Sequence, residues 1–368
     1  MIRAFLFLTL CSSMFCPAAE PGPWTPIFNG KNFDGWVNVN CAPQTWSVRE
    51  GMIHCTGLPT GELRTTSMHE NFELELEWRH LRARGNAGVF VWADALPAMG
   101  QPFIRGIEVQ VLENSYGNTK SHSTHGDIFP IHGAKMTPVN GRGGSRAFPT
   151  EERSKATPEW NHYRVVCNNG DISLAVNGKV VTQGRAGSPR KGYLCLESEG
   201  SPVEFRNLRL RELPTTNPKP EEVATADEGF KSLYTGVDLA GWKSETAAKW
   251  KSADWTLVCD GKEAKPLSTD REFGDATFIL DWRQADGKSA DKRVPLTLGG
   301  VRVPGETDKP AGQWNRAMIT RKGERATVVI NGKTVTENAA ELPPRARVSL
   351  VAEAGAVHFA NLFVKEAN

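Results

Sequence analysis

Glu108 and Gln110 stand two apart in Glu108-Val109-Gln110-Val111-Leu112-Glu113-Asn114, and a period of two puts both on one face of a strand, opposite Val109 and Val111. That pattern can aim a carboxylate and an amide into a cleft; the alternative is a strand face that simply meets water. Downstream, Ser123-Thr124-His125-Gly126-Asp127-Ile128-Phe129-Pro130-Ile131-His132-Gly133 places His125 and Asp127 on either side of a glycine, with His132 following. Imidazole exchanges protons near neutral pH, and a carboxylate can serve as a base or orient the ring. His122, His125 and His132 could instead hold a divalent cation, although no HxH or HExxH spacing is present. Further on, Tyr193-Leu194-Cys195-Leu196-Glu197-Ser198-Glu199-Gly200 sets Tyr193, Cys195, Glu197 and Glu199 on one strand face. Trp92, beside Asp94, falls opposite Val89 and Val91, where its ring could stack on a sugar or join the core. Gly141-Arg142-Gly143-Gly144 lacks the Lys-Ser/Thr of a phosphate loop and reads as a flexible loop, and no Gly-x-Ser-x-Gly elbow occurs.

The elements that must position these residues are short strands. Phe72, Leu74, Leu76 and Trp78 alternate with Glu73, Glu75, Glu77 and Arg79, which describes a strand with one wet face. Asn-Gly between apolar residues, at Asn177-Gly178 and again at Asn331-Gly332, marks two tight hairpins. No window of a dozen residues carries a helical period. The fold class expected is all-β, with antiparallel sheets packed as a sandwich or jelly roll.

The chain also repeats itself. Phe28-Asn29-Gly30 through Gly35-Trp36 returns as Tyr234-Thr235-Gly236 through Gly241-Trp242. Trp78-Arg79 returns as Trp282-Arg283, Trp160-Asn161 as Trp314-Asn315, Val176-Asn177-Gly178-Lys179 as Ile330-Asn331-Gly332-Lys333, and Phe205-Arg206-Asn207-Leu208 as Phe359-Ala360-Asn361-Leu362. Trp78 and Trp160 are 82 residues apart, whereas Trp282 and Trp314 are 32 apart, so the second copy lacks about 50 residues. Copy one is placed at 24–213 with a functional insert at 94–158, copy two at 229–366. The Pro-rich polar stretch at 214–228 is read as an extended linker.

Composition narrows the function. Of 368 residues, 39% are hydrophobic and 23% charged, so the chain can fold. Its 44 basic and 42 acidic residues give a net charge of +2, too balanced for binding a nucleic acid backbone. Residues 1–19, with Arg3, an apolar run and Ala18-Ala19, read as a secretory signal peptide, which implies a secreted or periplasmic product. No later run is long enough to span a membrane. Five cysteines remain beyond residue 19, without a CxxC pair; Cys41 and Cys55 are the nearest in sequence, the odd number leaves one thiol unpaired, and Cys167 and Cys195 read as core.

Taken together, Ile27-Phe28-Asn29-Gly30 with Phe33-Asp34-Gly35-Trp36, Glu108-Val109-Gln110, Glu159-Trp160-Asn161, Val176-Asn177-Gly178 and Glu204-Phe205-Arg206-Asn207-Leu208 resemble the 3-keto-disaccharide hydrolase family. The resemblance covers copy one throughout and copy two more weakly. It implies a concanavalin A-like jelly roll and a carbohydrate substrate: a glycoside already oxidised to a ketone at C3, cleaved by elimination and then hydration. Where relatives have a His-Gly pair before the Phe-Arg-Asn segment, this chain has Glu199-Gly200, so any role of that histidine falls to Glu199 or is absent.

On that reading a carboxylate or imidazole removes the C2 proton while donors hold the enolate oxygen. The residues assigned are Glu108 or His125 as base, Asp127 to orient His125, Glu199 in the histidine's place, Gln110 and Arg64 as donors to the keto oxygen, and Trp92, Glu113 and His132 as further substrate contacts. The competing expectation is a lectin-like carbohydrate-binding protein without chemistry.

Overall fold

The structure is a computed structural model that describes residues 20–116, 120–285, 292–339, 341–352 and 355–367; the signal-peptide reading at 1–19 lies outside the described residues. Within them the chain forms antiparallel sheets joined by turns, with three single-turn 3-10 segments as its helical elements. Copy one is a nine-stranded sheet packed on a six-stranded one, and copy two an eight-stranded sheet packed on a five-stranded one. The fold is therefore all-β, a concanavalin A-like jelly-roll sandwich in two tandem copies, the second shorter. No helix of the described residues is long and apolar enough to cross a membrane.

Alternation builds the core. Phe72, Leu74, Leu76 and Trp78 of strand Phe72–His80 are buried, and they face Val89, Val91, Val109, Val111, Leu194 and Leu196 of the opposing sheet in one apolar cluster. Trp78 is 1% exposed; cutting a buried aromatic of this size back to alanine costs about 3–5 kcal/mol. The pairings repeat in copy two. Trp78 stands opposite Asn161 and Phe205, and Trp282 opposite Asn315 and Phe359.

The insert is not a loop laid over the sandwich. Its strands Gly106–Leu112 and Ile128–Ile131 extend the six-stranded sheet, and Lys135–Pro138 extends the nine-stranded one. The 214–228 segment is pinned along copy one. Glu70 accepts hydrogen bonds from Thr215 and Thr216, and the Asp227 carboxylate meets the Arg64 guanidinium at 2.8 Å. All five cysteines beyond residue 19 are buried free thiols.

Candidate active site

The six-stranded sheet turns one face to the core and leaves the other concave. Strands Gly61–Thr65, Tyr193–Ser198, Asn86–Ala93 and Gly106–Leu112 lie side by side, with Glu62 opposite Glu197, Arg64 opposite Cys195, Phe90 opposite Glu108 and Gly88 opposite Gln110. The period of two that sends Leu63, Leu194, Leu196, Val109 and Val111 into the core sends Glu62, Glu197, Glu108 and Gln110 to the concave side. This face is not solvated. Glu62 is 0% exposed, Glu197 1%, and Glu108 and Gln110 6% each.

Gly88 lets two of these carboxylates converge. A Cβ at that position would sit 2.9 Å from both Glu108 Oε1 and Glu197 Oε2, so the two oxygens lie no more than twice that distance apart. Burial pushes the Glu108 carboxyl well above the usual range; Glu199 and Glu62 push it further, and the Arg146 guanidinium opposes them. Burial, with Glu108 and Glu199 alongside, does the same to Glu197. Glu199, half-buried beside them, accepts a hydrogen bond from Asn86 Nδ2 and is also pushed up, chiefly by burial. Glu62 rises to about 8 because it is buried, although Ile104 N–H donates to its Oε1 at 3.0 Å and Arg64 lies nearby. Glu62 Oε2 and Glu197 Oε2 have no hydrogen-bond partner. Like charges this close and this dry cannot all ionise, so the cluster keeps at least one of its protons.

The cation of the site is Arg146, which the sequence reading missed. Its Nη1 donates to Asp127 Oδ2 at 3.0 Å and to Gln110 Oε1 at 3.3 Å, and its guanidinium lies 3.4 Å from the centroid of Phe129, the residue opposite Glu108. Gln110 Nε2 donates to Asn86 Oδ1 at 3.0 Å, so Asn86, also missed, bridges Gln110 and Glu199. Glu197 was seen on the right face but given no role.

Several expected roles do not survive the geometry. Arg64 is 1% exposed, with Nη2 on Asp227, Nη1 on the Thr65 carbonyl and its guanidinium 4.3 Å from the Tyr193 ring centroid; sealed there, it cannot reach a substrate oxygen. Trp92 is core. Tyr193 stands opposite Ala93 while Cys195 stands opposite Phe90, a bulge in which Trp92 takes φ 53° and turns in to join Val89 and Val91, its Nε1 donating to the Glu70 carbonyl. The Glu113 carboxylate is spent on the Arg84, Ser115 and Thr157 amides and on the Ser115 hydroxyl, which hold it below the usual range. Asp127 does not orient His125: its oxygens take Ser123 N–H, Ser123 Oγ–H and Arg146. His125 is buried with Nδ1 2.8 Å from Ser154 Oγ and Nε2 3.7 Å from Glu152, and burial lowers its pKa. His132 is exposed at the rim, its ring stacked on Phe103 with centroids 6.2 Å apart. Among the described residues, no three His, Cys, Asp or Glu side chains converge in a way that could hold a metal ion. A depression of about 560 Å³, lined by Phe28, Glu75, Glu77, His162 and Asn207, sits on the outer face of the nine-stranded sheet.

The profile described as 3-keto-alpha-glucoside-1,2-lyase-like domain matches residues 23–211 and 290–365. A curated 3-keto-disaccharide hydrolase of Bacteroides thetaiotaomicron is 23% identical over 239 residues, which cover 51% of this chain and 77% of that protein. Among solved structures, a proposed glycosyl hydrolase of Parabacteroides distasonis is 22% identical at a TM-score of 0.41, covering 52% of this chain and 94% of its own. A Bacillus licheniformis beta-glucanase is 14% identical at a TM-score of 0.34, covering 53% and 99%.

Proposed function

The chain belongs to the 3-keto-alpha-glucoside-1,2-lyase-like domain family, and from that premise we propose that it is a glycoside-cleaving enzyme whose substrates carry a ketone at C3 of the sugar. The observation that carries the reading is the buried pair Glu108 and Glu197 on the concave face, converging over Gly88, with Glu199 nearby and the Arg146 guanidinium favouring the ionised form of Glu108. The chemistry asks for that combination. A C3 ketone acidifies the C2 hydrogen, a carboxylate removes it, a cation holds the enolate oxygen, and a second carboxyl protonates the leaving group at C1. Water then adds back to the enone, with the same two carboxyls exchanging roles.

Glu108 is the base, because Arg146 favours its ionised form and it makes no hydrogen bond among the described residues. Glu197, buried among carboxyls with no cation against it, keeps the proton and serves as the acid. Arg146 is the donor to the keto oxygen, and Gln110, whose Nε2 is taken by Asn86 Oδ1 and the Ala87 carbonyl, positions Arg146 through its Oε1. Asn86 holds Glu199 and Gln110 in register, and a role for His125 would require it to leave Ser154.

The test is incubation with a 3-keto-glucoside deuterated at C2. Release of the aglycone with loss of the label supports the proposal. Equal cleavage of the unoxidised glycoside with the label retained would point to ordinary acid–base hydrolysis, and retention of the sugar without cleavage to a lectin.

A further inference from the structure

Copy two is joined to copy one by more than the linker. In the insert of copy one, residues 97–104 form a closed turn, with Pro97 bridged to Ile104 and Ala98 N–H donating to the Phe103 carbonyl. The outer face of copy two grips this turn. The Asp281 carboxylate, 0% exposed, accepts Gly100 N–H at 2.8 Å; Arg316 Nη2 donates to the Pro97 carbonyl at 3.0 Å; Asn361 Nδ2 reaches the Ala98 and Gln101 carbonyls at 3.1 and 3.0 Å. Arg316 also pairs with Asp281, and Asn361 Nδ2 donates to it, so the three form one connected clamp. Gly100, at φ 66°, lies flat on Trp314: a Cβ there would come within 2.1 Å of the ring.

The same face of copy one shows what the grip required. There Glu77 stands where Asp281 does, His162 where Arg316 does and Asn207 where Asn361 does, and Gly51 stands in the place of Trp255, whose ring lies 5.9 Å from that of Trp314. Glu77 is satisfied within its own copy by Arg206 and Asn207, and the face is left as the open depression of about 560 Å³. Copy two has Ala360 in the place of Arg206, so Asp281 is free of that internal partner and takes the foreign turn.

The gripped turn leads directly to the site. Ile104 N–H donates to Glu62, and Ile104 packs with Phe90, Tyr193, Cys195 and copy two's Ile279 and Phe363 over one end of the concave sheet. We propose that copy two is a positioning device for the site in copy one: Asp281, Arg316 and Asn361 clamp the 97–101 turn, and the clamped turn holds Ile104 over Glu62 at one end of the carboxyl cluster. The inference rests on the proposed function for its kinetic arm only.

The groups facing Glu62 are Arg64 on its own strand, Cys195 and Glu197 on the next, Glu108 beyond them and Cys41; Ile104 is the cover that the clamp controls. The experiment uses the full chain with Asn361→Ala, Asp281→Ala and, acting from copy one's side, Gly100→Ala. Hydrogen exchange at 97–104 should accelerate about tenfold or more while the strand Phe72–His80 keeps its protection. The Glu62 carboxyl band, isolated by infrared difference against Glu62→Gln, should titrate at least about one unit lower than in the wild type as water reaches it. Turnover of a 3-keto-glucoside should fall about tenfold to a hundredfold. A variant that is merely less stable would melt earlier with the Glu62 midpoint unchanged, and that result overturns the proposal; so does a loosened turn with full activity. A wild type inactive on keto sugars would sink the functional reading, while exchange and the Glu62 midpoint would still decide the clamp.

Discussion

The two concave faces start from the same sheet and end with opposite chemistry. Trp36 pairs with Thr65 as Trp242 pairs with Thr269, and Leu196 joins Leu63 to Val89 as Leu350 joins Leu267 to Leu296. On this register Glu62 becomes Pro266, Arg64 becomes Ser268, Gly88 becomes Pro295, Glu108 becomes Arg302 and Glu197 becomes Val351. Copy two has exchanged its carboxyls at the Glu62, Glu108 and Glu197 positions for a proline, an arginine and a buried valine, and sets a Ser268–Ser349 hydrogen bond where copy one has Arg64 and Cys195. Glu353, the counterpart of Glu199, lies outside the described residues. A sandwich does not need buried carboxyls on this face to fold, since copy two folds with Pro266 and Val351 in the places of Glu62 and Glu197; leaving carboxylate oxygens unpaired costs stability. Copy one keeps them, which is what a site that works on protons requires.

The largest effect should come from removing the feature that copy two lacks most plainly. Glu197→Gln and Glu108→Gln should each lower kcat/KM on a 3-keto-glucoside by about 10²- to 10⁴-fold with the circular dichroism spectrum unchanged; full activity in either removes that residue from the chemistry. Gly88→Ala comes next. Its methyl would press on both carboxylates at 2.9 Å, and separating them by a fraction of an ångström should cost up to about a hundredfold in kcat. Unchanged turnover would mean that the two carboxyls do not act together.

What the sequence disclosed, and what it hid, follows from how far each feature reaches along the chain. The Glu108 and Gln110 face, the Tyr193–Glu199 face and the repeat are local patterns of period two or of matched segments. The position of Arg146 is not local. It arrives beside Asp127 and Phe129 because Ile128 and Ala147 exchange backbone hydrogen bonds across a loop, while Ile128–Ile131 pairs with Gly106–Leu112. Nothing in Gly144-Ser145-Arg146 announces that. Trp92 misled for the converse reason: strict alternation fails at a bulge, and a tryptophan at positive φ is not what a strand pattern leads one to expect. Arg64 looked like a donor because its counter-ion, Asp227, lies 163 residues away. The clamp needed both copies in place, since Asp281 reads as one more acidic residue in an alternating strand.

Arg146→Ala should have a smaller effect with a definite sign. The guanidinium favours ionised Glu108 against the pull of burial, so without it the Glu108 pKa climbs further. The acid limb of kcat/KM should therefore move to higher pH, with activity near neutrality down about tenfold. An acid limb that stays where it was would show that Glu108 is not the group whose ionisation the profile reports.

The smallest effect is thermodynamic, and it isolates the cost of the carboxyl that copy two replaces with proline. Glu62 titrates near 4.5 when exposed and is raised to about 8 by burial in the folded chain. The folded state thus binds this proton more tightly than the unfolded one, so the contribution is fully present below pH 4.5 and is lost as the pH climbs through 8. The wild type should lose melting temperature across that window, and Glu62→Gln, neutral throughout, should lose less. One pK unit is worth about 1.4 kcal/mol, and a domain of this size shifts by about 2–4 °C per kcal/mol. Proton sharing with Glu197 and Glu108 dilutes the effect, so the advantage of the variant should grow from near zero to several degrees between the two ends. Calorimetry across the window checks it. A difference that stays constant with pH would mean that Glu62 is ionised in the folded protein, and the dry carboxyl cluster that separates the two copies would have to be redrawn.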